Sequence, residues 1–151
     1  MRLPHILPFN KAPLYFFTAC TVNRRPLLAC DPALQALRSM WQKSAQLDGW
    51  YVGRFVLMPD HVHFFAMPVA EAKPRGVWNK MWKSVTARRL AKELGIPPPV
   101  WQEDTFDHIL RGVESYQAKW DYVRQNPVRA GHCARSEDWP WQGEINVLRF
   151  E

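Results

Sequence analysis

Residues 50–68, WYVGRFVLMPDHVHFFAMP, constrain the fold of this chain more than any other stretch. Two apolar runs rich in β-branched and aromatic residues, 50–58 and 61–67, flank the turn-forming pair Pro59-Asp60, and the pattern predicts a hairpin. Alternation along a strand puts His61 and His63 on one side and sends Val62 and Phe64 to the other, toward a core. Two imidazoles side by side on a strand are able to hold one divalent cation between them. They suit equally well a half-buried polar pair at a hairpin end, and because His-x-His is a common triplet the spacing leaves both readings open.

The chain has 151 residues, 47% of them hydrophobic, which fits one folded domain over 1–151 with a sizeable core and a C-terminal tail over 128–151. No run reaches the ~18 apolar residues of a membrane span, and residues 1–13 lack the apolar centre of a signal peptide. No membrane partner is expected, and the expected location is cytoplasmic. Cys20, Cys30 and Cys133 are scattered without a C-x-x-C pair, which speaks for reduced thiols and against a disulfide framework or a structural zinc knot. Twenty Lys and Arg stand against fourteen Asp and Glu, a formal charge of +6. This balance favours a polyanionic partner modestly. The eight tryptophans offer two alternatives: core rings, or exposed stacking platforms for unpaired bases among cations.

In chain order, residues 14–23 (LYFFTACTVN) predict a first strand. Asp31-Pro32 reads as an N-cap followed by proline at the first helical position, opening a helix with Leu34, Leu37, Met40, Trp41, Ala45 and Leu47 at near-helical spacing up to Gly49. The first half is therefore β-α-β-β. A polar linker over 69–75 leads to a basic helix over about 76–94, whose apolar positions Val77, Met81, Val85 and Leu90 are interleaved with Lys80, Lys83, Arg88, Arg89 and Lys92. That polar face is either a phosphate-backbone contact or an ordinary solvated surface. Residues 100–112 are expected to form a short strand around 100–102 and then a turn of helix. Residues 114–125 predict another helix, with Tyr116, Trp120 and Val123 as contacts, which must end or bend near Asn126-Pro127.

That last helix holds a second constellation. Tyr122 and Asn126 are four apart and so share a face, one turn from each other. Separately, each has a plain alternative, a core tyrosine and a C-cap asparagine. Together with the hairpin they make a site: two histidines and an amide oxygen are ligands of the kind that bind Mg2+ or Mn2+ loosely and leave positions for phosphate oxygens. A tyrosine one turn away would reach a phosphate held there. Tyrosine, with a free pKa near 10, is a poor nucleophile without such help.

These motifs resemble the single-tyrosine HUH transposases, and in detail the REP-associated tyrosine transposases among them. MPDHVHFFAMP resembles the His-hydrophobic-His motif of that family, and DYVRQNPVRAG its tyrosine helix with Tyr-x-x-x-Asn-Pro-Val. Arg2-Leu3-Pro4-His5, Tyr15-Phe16-Phe17-Thr18, Lys83-Ser84, VWQEDTFDHILR and the tail WPW match as well, so the resemblance covers nearly the whole chain. It implies an α+β fold, a ferredoxin-like or RRM-like antiparallel sheet with helices packed on it. It further implies His61 and His63 as metal ligands with Asn126 as the third, Tyr122 as nucleophile, and a Mg2+ or Mn2+ cofactor. The implied partner is single-stranded or hairpin DNA of the repetitive extragenic palindrome type, bound by a monomer or homodimer. Lys80, Lys83, Arg88, Arg89, Arg124 and Arg129 are the expected DNA contacts. Two departures stand out: Asp60 occupies a place where asparagine is commoner and brings a negative charge near the metal, and the tail lacks serines after WPW.

The expectation is thus a metal-dependent single-strand DNA endonuclease and strand transferase that passes through a 5′-phosphotyrosine link. The alternatives are a non-catalytic hairpin-DNA binding protein, an RNA-binding ferredoxin-like module, and a replication-initiator or relaxase-type nickase.

Overall fold

A computed structural model describes residues 6–8 and 13–149; the Arg2-Leu3-Pro4-His5 match lies outside the described residues. The elements in order are β1 (Ile6–Pro8), β2 (Leu14–Thr21), α1 (Asp31–Asp48), β3 (Trp50–Leu57), β4 (His61–Pro68), α2 (Arg75–Leu94), β5 (Trp101–Leu110), α3 (Gly112–Val123), α4 (Asn126–Arg129), β6 (Gln142–Glu144) and β7 (Val147–Arg149). Five strands form one antiparallel sheet in the order β5-β2-β4-β3-β6, and β1 pairs with β7 in parallel beside it. Without β6, the order β5-β2-β4-β3 laid out by β-α-β-β-α-β is the ferredoxin-like arrangement that the resemblance implies.

The hairpin forms where predicted. Met58 N–H donates to the His61 carbonyl at 2.8 Å across the Pro59-Asp60 turn. Strand β2 ends sooner than expected, at Thr21, and Val22–Arg24 make a 3-10 turn in which Asn23 (φ 57°) and Arg24 (φ 54°) are left-handed. Asp31 enters the first turn of α1 instead of capping it, and Gly49 stops that helix at φ 77°, a conformation that disfavours any residue with a Cβ.

The sheet separates two cores. On one face α1 and α2 cover Phe17, Val52, Phe55, Val62 and Phe64 with Leu37, Trp41, Trp78 and Trp82. On the other, α3 brings Tyr116, Trp120 and Val123 onto Phe16, Val56, Phe65 and Met67. A bulge in β3 between Val52 and Phe55 presents Gly53 to α3, where a Cβ would stand 2.7 Å from the Tyr116 hydroxyl. That close approach requires glycine.

Three expectations need correction. Residues 101–110 are a ten-residue edge strand paired to β2, with no helical turn. Its side chains are mostly exposed, so the strand carries no apolar alternation for a sequence reading to find. Helix α2 has its period as expected, and Leu90 is buried as predicted, but before it the inward stripe is shifted by one residue: Trp78, Trp82 and Thr86 face inward, while Val77 and Val85 are 49% and 40% exposed. The indoles win that contest because they bury more area and their N–H groups find partners, Trp78 on Ser44 Oγ (3.0 Å) and Trp82 on Asn79 Oδ1 (2.8 Å). In α1, Leu47 is likewise turned out, at 63% exposure. Of the two alternatives for the tryptophans the core one holds: seven are buried and Trp141 is half-buried against both cores.

The tail is tied down along much of its length. Strand β6 extends the sheet at β3, and Trp139 Nε1 donates to the Leu57 carbonyl at 2.8 Å. Among the described residues no helix is long and apolar enough to cross a membrane, and Cys20, Cys30 and Cys133 are free thiols.

Candidate active site

The side chains at 61, 63, 65 and 67 of β4 share one face of the sheet, the face that α3 partly covers. Phe65 and Met67 are buried beneath α3, whereas the half-buried His61 and His63 lie at the strand's beginning, their ring centroids 4.8 Å apart and nearly perpendicular. Register puts Thr18 opposite His63, and Thr18 Oγ1 lies 2.8 Å from His63 Nδ1. Burial, followed by the positive charges of His61, Lys119 and Arg24, pushes the His63 imidazole down to about 3, so it is neutral at physiological pH.

His61 is held by a different device. Asp60 Oδ1 is 2.7 Å from His61 Nδ1, and Arg24 Nε donates to Asp60 Oδ2 at 2.9 Å. Burial alone would raise the Asp60 carboxyl, but hydrogen bonds from Arg24 and His61 outweigh it and hold the group below its ordinary value. The charge that Asp60 adds near the histidines is therefore matched by Arg24, which the left-handed turn at the end of β2 delivers.

Both histidines thus use Nδ1 on the protein, on a carboxylate and a hydroxyl. Neither Nε2 has a hydrogen-bond partner among the described residues. This is how a metal-binding imidazole is oriented: one nitrogen fixed by a polar neighbour, the other presented. The donor chemistry fits a divalent cation on His61 and His63.

Helix α3 packs on the same face of the sheet and carries the expected Tyr122 near its end. Tyr116, Trp120 and Val123 anchor it, while Gln117, Ala118, Asp121 and Tyr122 are exposed. Lys119 Nζ lies 4.8 Å from the centroid of Phe16, whose ring stacks on His63 at 5.3 Å and 18°. Tyr122, one turn on, is 62% exposed. The helix ends at Val123 and the chain resumes as α4 at Asn126, with Pro127 in its first turn, so the expected bend occurs. Arg129 closes the bend: its guanidinium lies 4.1 Å over the Tyr122 ring, and Nη2 donates to the Tyr122 carbonyl at 2.8 Å and to Asn126 Oδ1.

The family model for IS200-like transposases matches residues 12–125. The chain belongs to that family. It is 26% identical over 134 residues to the REP-associated tyrosine transposase of Escherichia coli K12, a match covering 88% of this chain and 77% of that one. A putative REP-associated tyrosine transposase of Haemophilus influenzae is 23% identical over 152 residues, covering 95% and 86%. Among solved structures, that of a REP-associated tyrosine transposase bound to a REP hairpin aligns with a TM-score of 0.68 at 24% identity, over 94% of this chain and 79% of that one. A putative transposase from Deinococcus radiodurans aligns at 0.56 and 19%, over 83% and 97%.

In this IS200-like transposase the residues expected to form the site fall into two groups. His61 and His63 stand together at the start of β4, and Tyr122, Asn126 and Arg129 stand together at the end of α3. The expected DNA contacts divide more sharply. Arg124 lies 4.0 Å from Glu137, and Arg129 is on Tyr122. Lys80, Arg88 and Arg89 are exposed on α2, beyond the opposite face of the sheet, with Arg89 paired to Glu93 at 3.1 Å. Lys83 departs from the expectation. It is 7% exposed, and its ammonium donates to the carbonyls of Gln102, Glu103 and Asp104 at 3.0, 3.2 and 3.0 Å, tying α2 to the edge strand. A groove of about 870 Å³ runs between these two elements and is lined by both signs, Lys80 and Arg88 against Glu103, Asp104 and Asp107.

Sequence reasoning missed Thr18, Arg24 and Lys119. Thr18 and Arg24 become neighbours of the histidines only through the β2–β4 register and the turn after β2. Lys119 had a local signal, three residues before Tyr122 and so on the same side of the helix.

Proposed function

We propose that this transposase is a divalent-metal-dependent endonuclease and strand transferase that cuts single-stranded DNA beside a hairpin of the REP type, with Tyr122 as nucleophile. One observation carries the proposal: a pair of histidines with both Nε2 atoms presented lies on the same sheet face as the helix bearing an exposed tyrosine. That the E. coli relative is a REP-associated tyrosine transposase, and that the aligned structure holds a REP hairpin, supports the choice of substrate.

His61 and His63 would hold the Mg2+ or Mn2+, with Asn126 as third ligand once its Oδ1 leaves Arg129. Bound there, the cation would draw charge from the phosphodiester oxygens. The chain's own residues do the rest. Thr18 and Asp60 fix the two imidazoles, and α3 positions the phenol. The Tyr122 oxygen forms a bond to phosphorus as the P–O3′ bond breaks. The phenolic proton is accounted for on the departing 3′-hydroxyl, and the 5′ phosphate remains on tyrosine. This ester conserves the energy of the bond, so a second 3′-hydroxyl rejoins the strand by the reverse step.

The test is covalent capture on a 5′-extended hairpin oligonucleotide with Mn2+. A protein–DNA adduct with the wild type that is absent from Tyr122→Phe is expected; no wild-type adduct, or an undiminished one in the variant, refutes the proposal. The engagement of Asn126 by Arg129 favours one second reading, a hairpin-DNA binding protein without catalysis. An RNA-binding module has less support, because α3 covers the part of the sheet on which unpaired bases would stack.

A further inference from the structure

The cations around the histidines are unequally compensated. Arg24 has Asp60 at 2.9 Å. Lys119 makes no ion pair among the described residues; its ammonium lies on the Phe16 ring, half-buried, on the face shared by His61 and His63. A ring face attracts an ammonium, though weakly beside a carboxylate. A divalent cation on the two imidazoles would make this corner more positive still. What completes it is an anion.

The position of Lys119 says where that anion lies. Lys119 precedes Tyr122 by three positions on α3, so the two side chains leave the helix on the same side, about one turn apart. The Lys119 ammonium sits over Phe16, whose ring stacks on His63. A phosphate close enough to His63 to share its metal, and to Tyr122 to be attacked, is therefore within reach of the ammonium.

Resting on the function proposed above, we infer that Lys119 is a catalytic residue, which donates a hydrogen bond to a non-bridging oxygen of the scissile phosphate and carries part of the charge that develops there. The lysine stays protonated throughout and exchanges nothing with the substrate. Its ammonium also couples metal to DNA: it opposes the cation directly, and it holds in place beside the cation the phosphate that attracts it.

The experiment compares wild type, Lys119→Met, which keeps a stem of similar length on Phe16, and Lys119→Arg, which keeps the charge. The first readout is the single-turnover rate of Tyr122 adduct formation on saturating hairpin oligonucleotide with Mn2+. The second is Mn2+ affinity with and without that oligonucleotide, followed by electron paramagnetic resonance. In Lys119→Met the rate is expected to fall by about 100-fold, the usual cost of one donor to developing charge. Its DNA-free Mn2+ affinity should hold or rise, and the tightening of Mn2+ by DNA should shrink. Lys119→Arg should recover most of both. Wild-type behaviour of Lys119→Met in either readout overturns the inference. If the wild type forms no adduct, it is the Tyr122 reading that fails, and Lys119 is then judged on the Mn2+–DNA coupling alone: coupling lost in Lys119→Met and restored in Lys119→Arg sustains a phosphate contact, and unchanged coupling removes it.

Discussion

Asp60 Oδ1 lies 2.7 Å from His61 Nδ1, and the other oxygen of the same carboxylate receives Arg24 Nε at 2.9 Å. His61 is thereby oriented by an acceptor whose charge is already matched.

The acceptor, more than the charge, is expected to matter. Asp60→Ala should weaken DNA-free Mn2+ binding by about 10- to 100-fold, the usual loss when the polar partner of a metal-bound histidine is removed. Asp60→Asn retains an oxygen for the Nδ1–H and should bind within about threefold of the wild type. Titration by electron paramagnetic resonance separates the two. Equal losses would mean that the negative charge itself is required.

His63 gives the metal-free protein an acid sensitivity of predictable sign. Its folded pKa of about 3 lies below the 6.5 of an unperturbed histidine. Between these values the unfolded chain binds a proton that the folded chain refuses, so stability is full above pH 6.5 and falls as pH drops toward 3. The slope from this residue alone is about 1 kcal/mol per pH unit. Urea unfolding in EDTA from pH 7 to 4 should show it, and His63→Gln should flatten the curve. An identical slope in the variant would assign the acid sensitivity elsewhere.

The lysines of α2 should behave differently in DNA binding. Lys83 is committed to three backbone carbonyls, whereas Lys80 and Arg88 are exposed beside the groove. If α2 contacts phosphates, Lys80→Met and Arg88→Met should each reduce the salt slope of hairpin affinity by about one. Lys83→Met should leave that slope as it is. Fluorescence anisotropy over a salt series measures all three.

Gly53 sets how closely α3 approaches the sheet, since a Cβ there would meet the Tyr116 hydroxyl at 2.7 Å and Leu148 Cδ1 at 2.8 Å. Gly53→Ala should cost about 1–3 kcal/mol. Removing the hydroxyl in a Gly53→Ala, Tyr116→Phe double variant should return part of that loss, so that the two effects are less than additive in thermal denaturation.

How much of this was legible in the sequence depended on whether the signal was local. The hairpin, α1 and the bend at Pro127 carry their own turn, cap and breaker residues, and each formed within a few residues of its expected place. The histidine pair and Tyr122 were visible for the same reason. Strand β5 was not, because an edge strand is made by hydrogen bonds to a neighbour, which its exposed side chains do not announce. The face of α2 was mistaken by one residue because Val77, Met81 and Val85 repeat with the same period as Trp78, Trp82 and Thr86, and only packing decides between the two stripes. Lys83 looked like surface charge for the same reason. Thr18 and Arg24 entered the site through pairing across 45 and 36 residues, a distance over which no spacing rule operates.

The two unequal coverings of the sheet have a consequence for how the site is aimed. One surface is roofed by two long helices and a cluster of packed indoles; the other is roofed by α3 together with Trp139 and Leu148 of the tail, and has the half-buried His61 and His63 at its margin. The sheet acts as a bulkhead between them. A shift of α3 against the sheet would carry Tyr122 and Lys119 with it and leave the α1–α2 core on the far face in place. The aim of the phenol and the ammonium is therefore separable from the larger core.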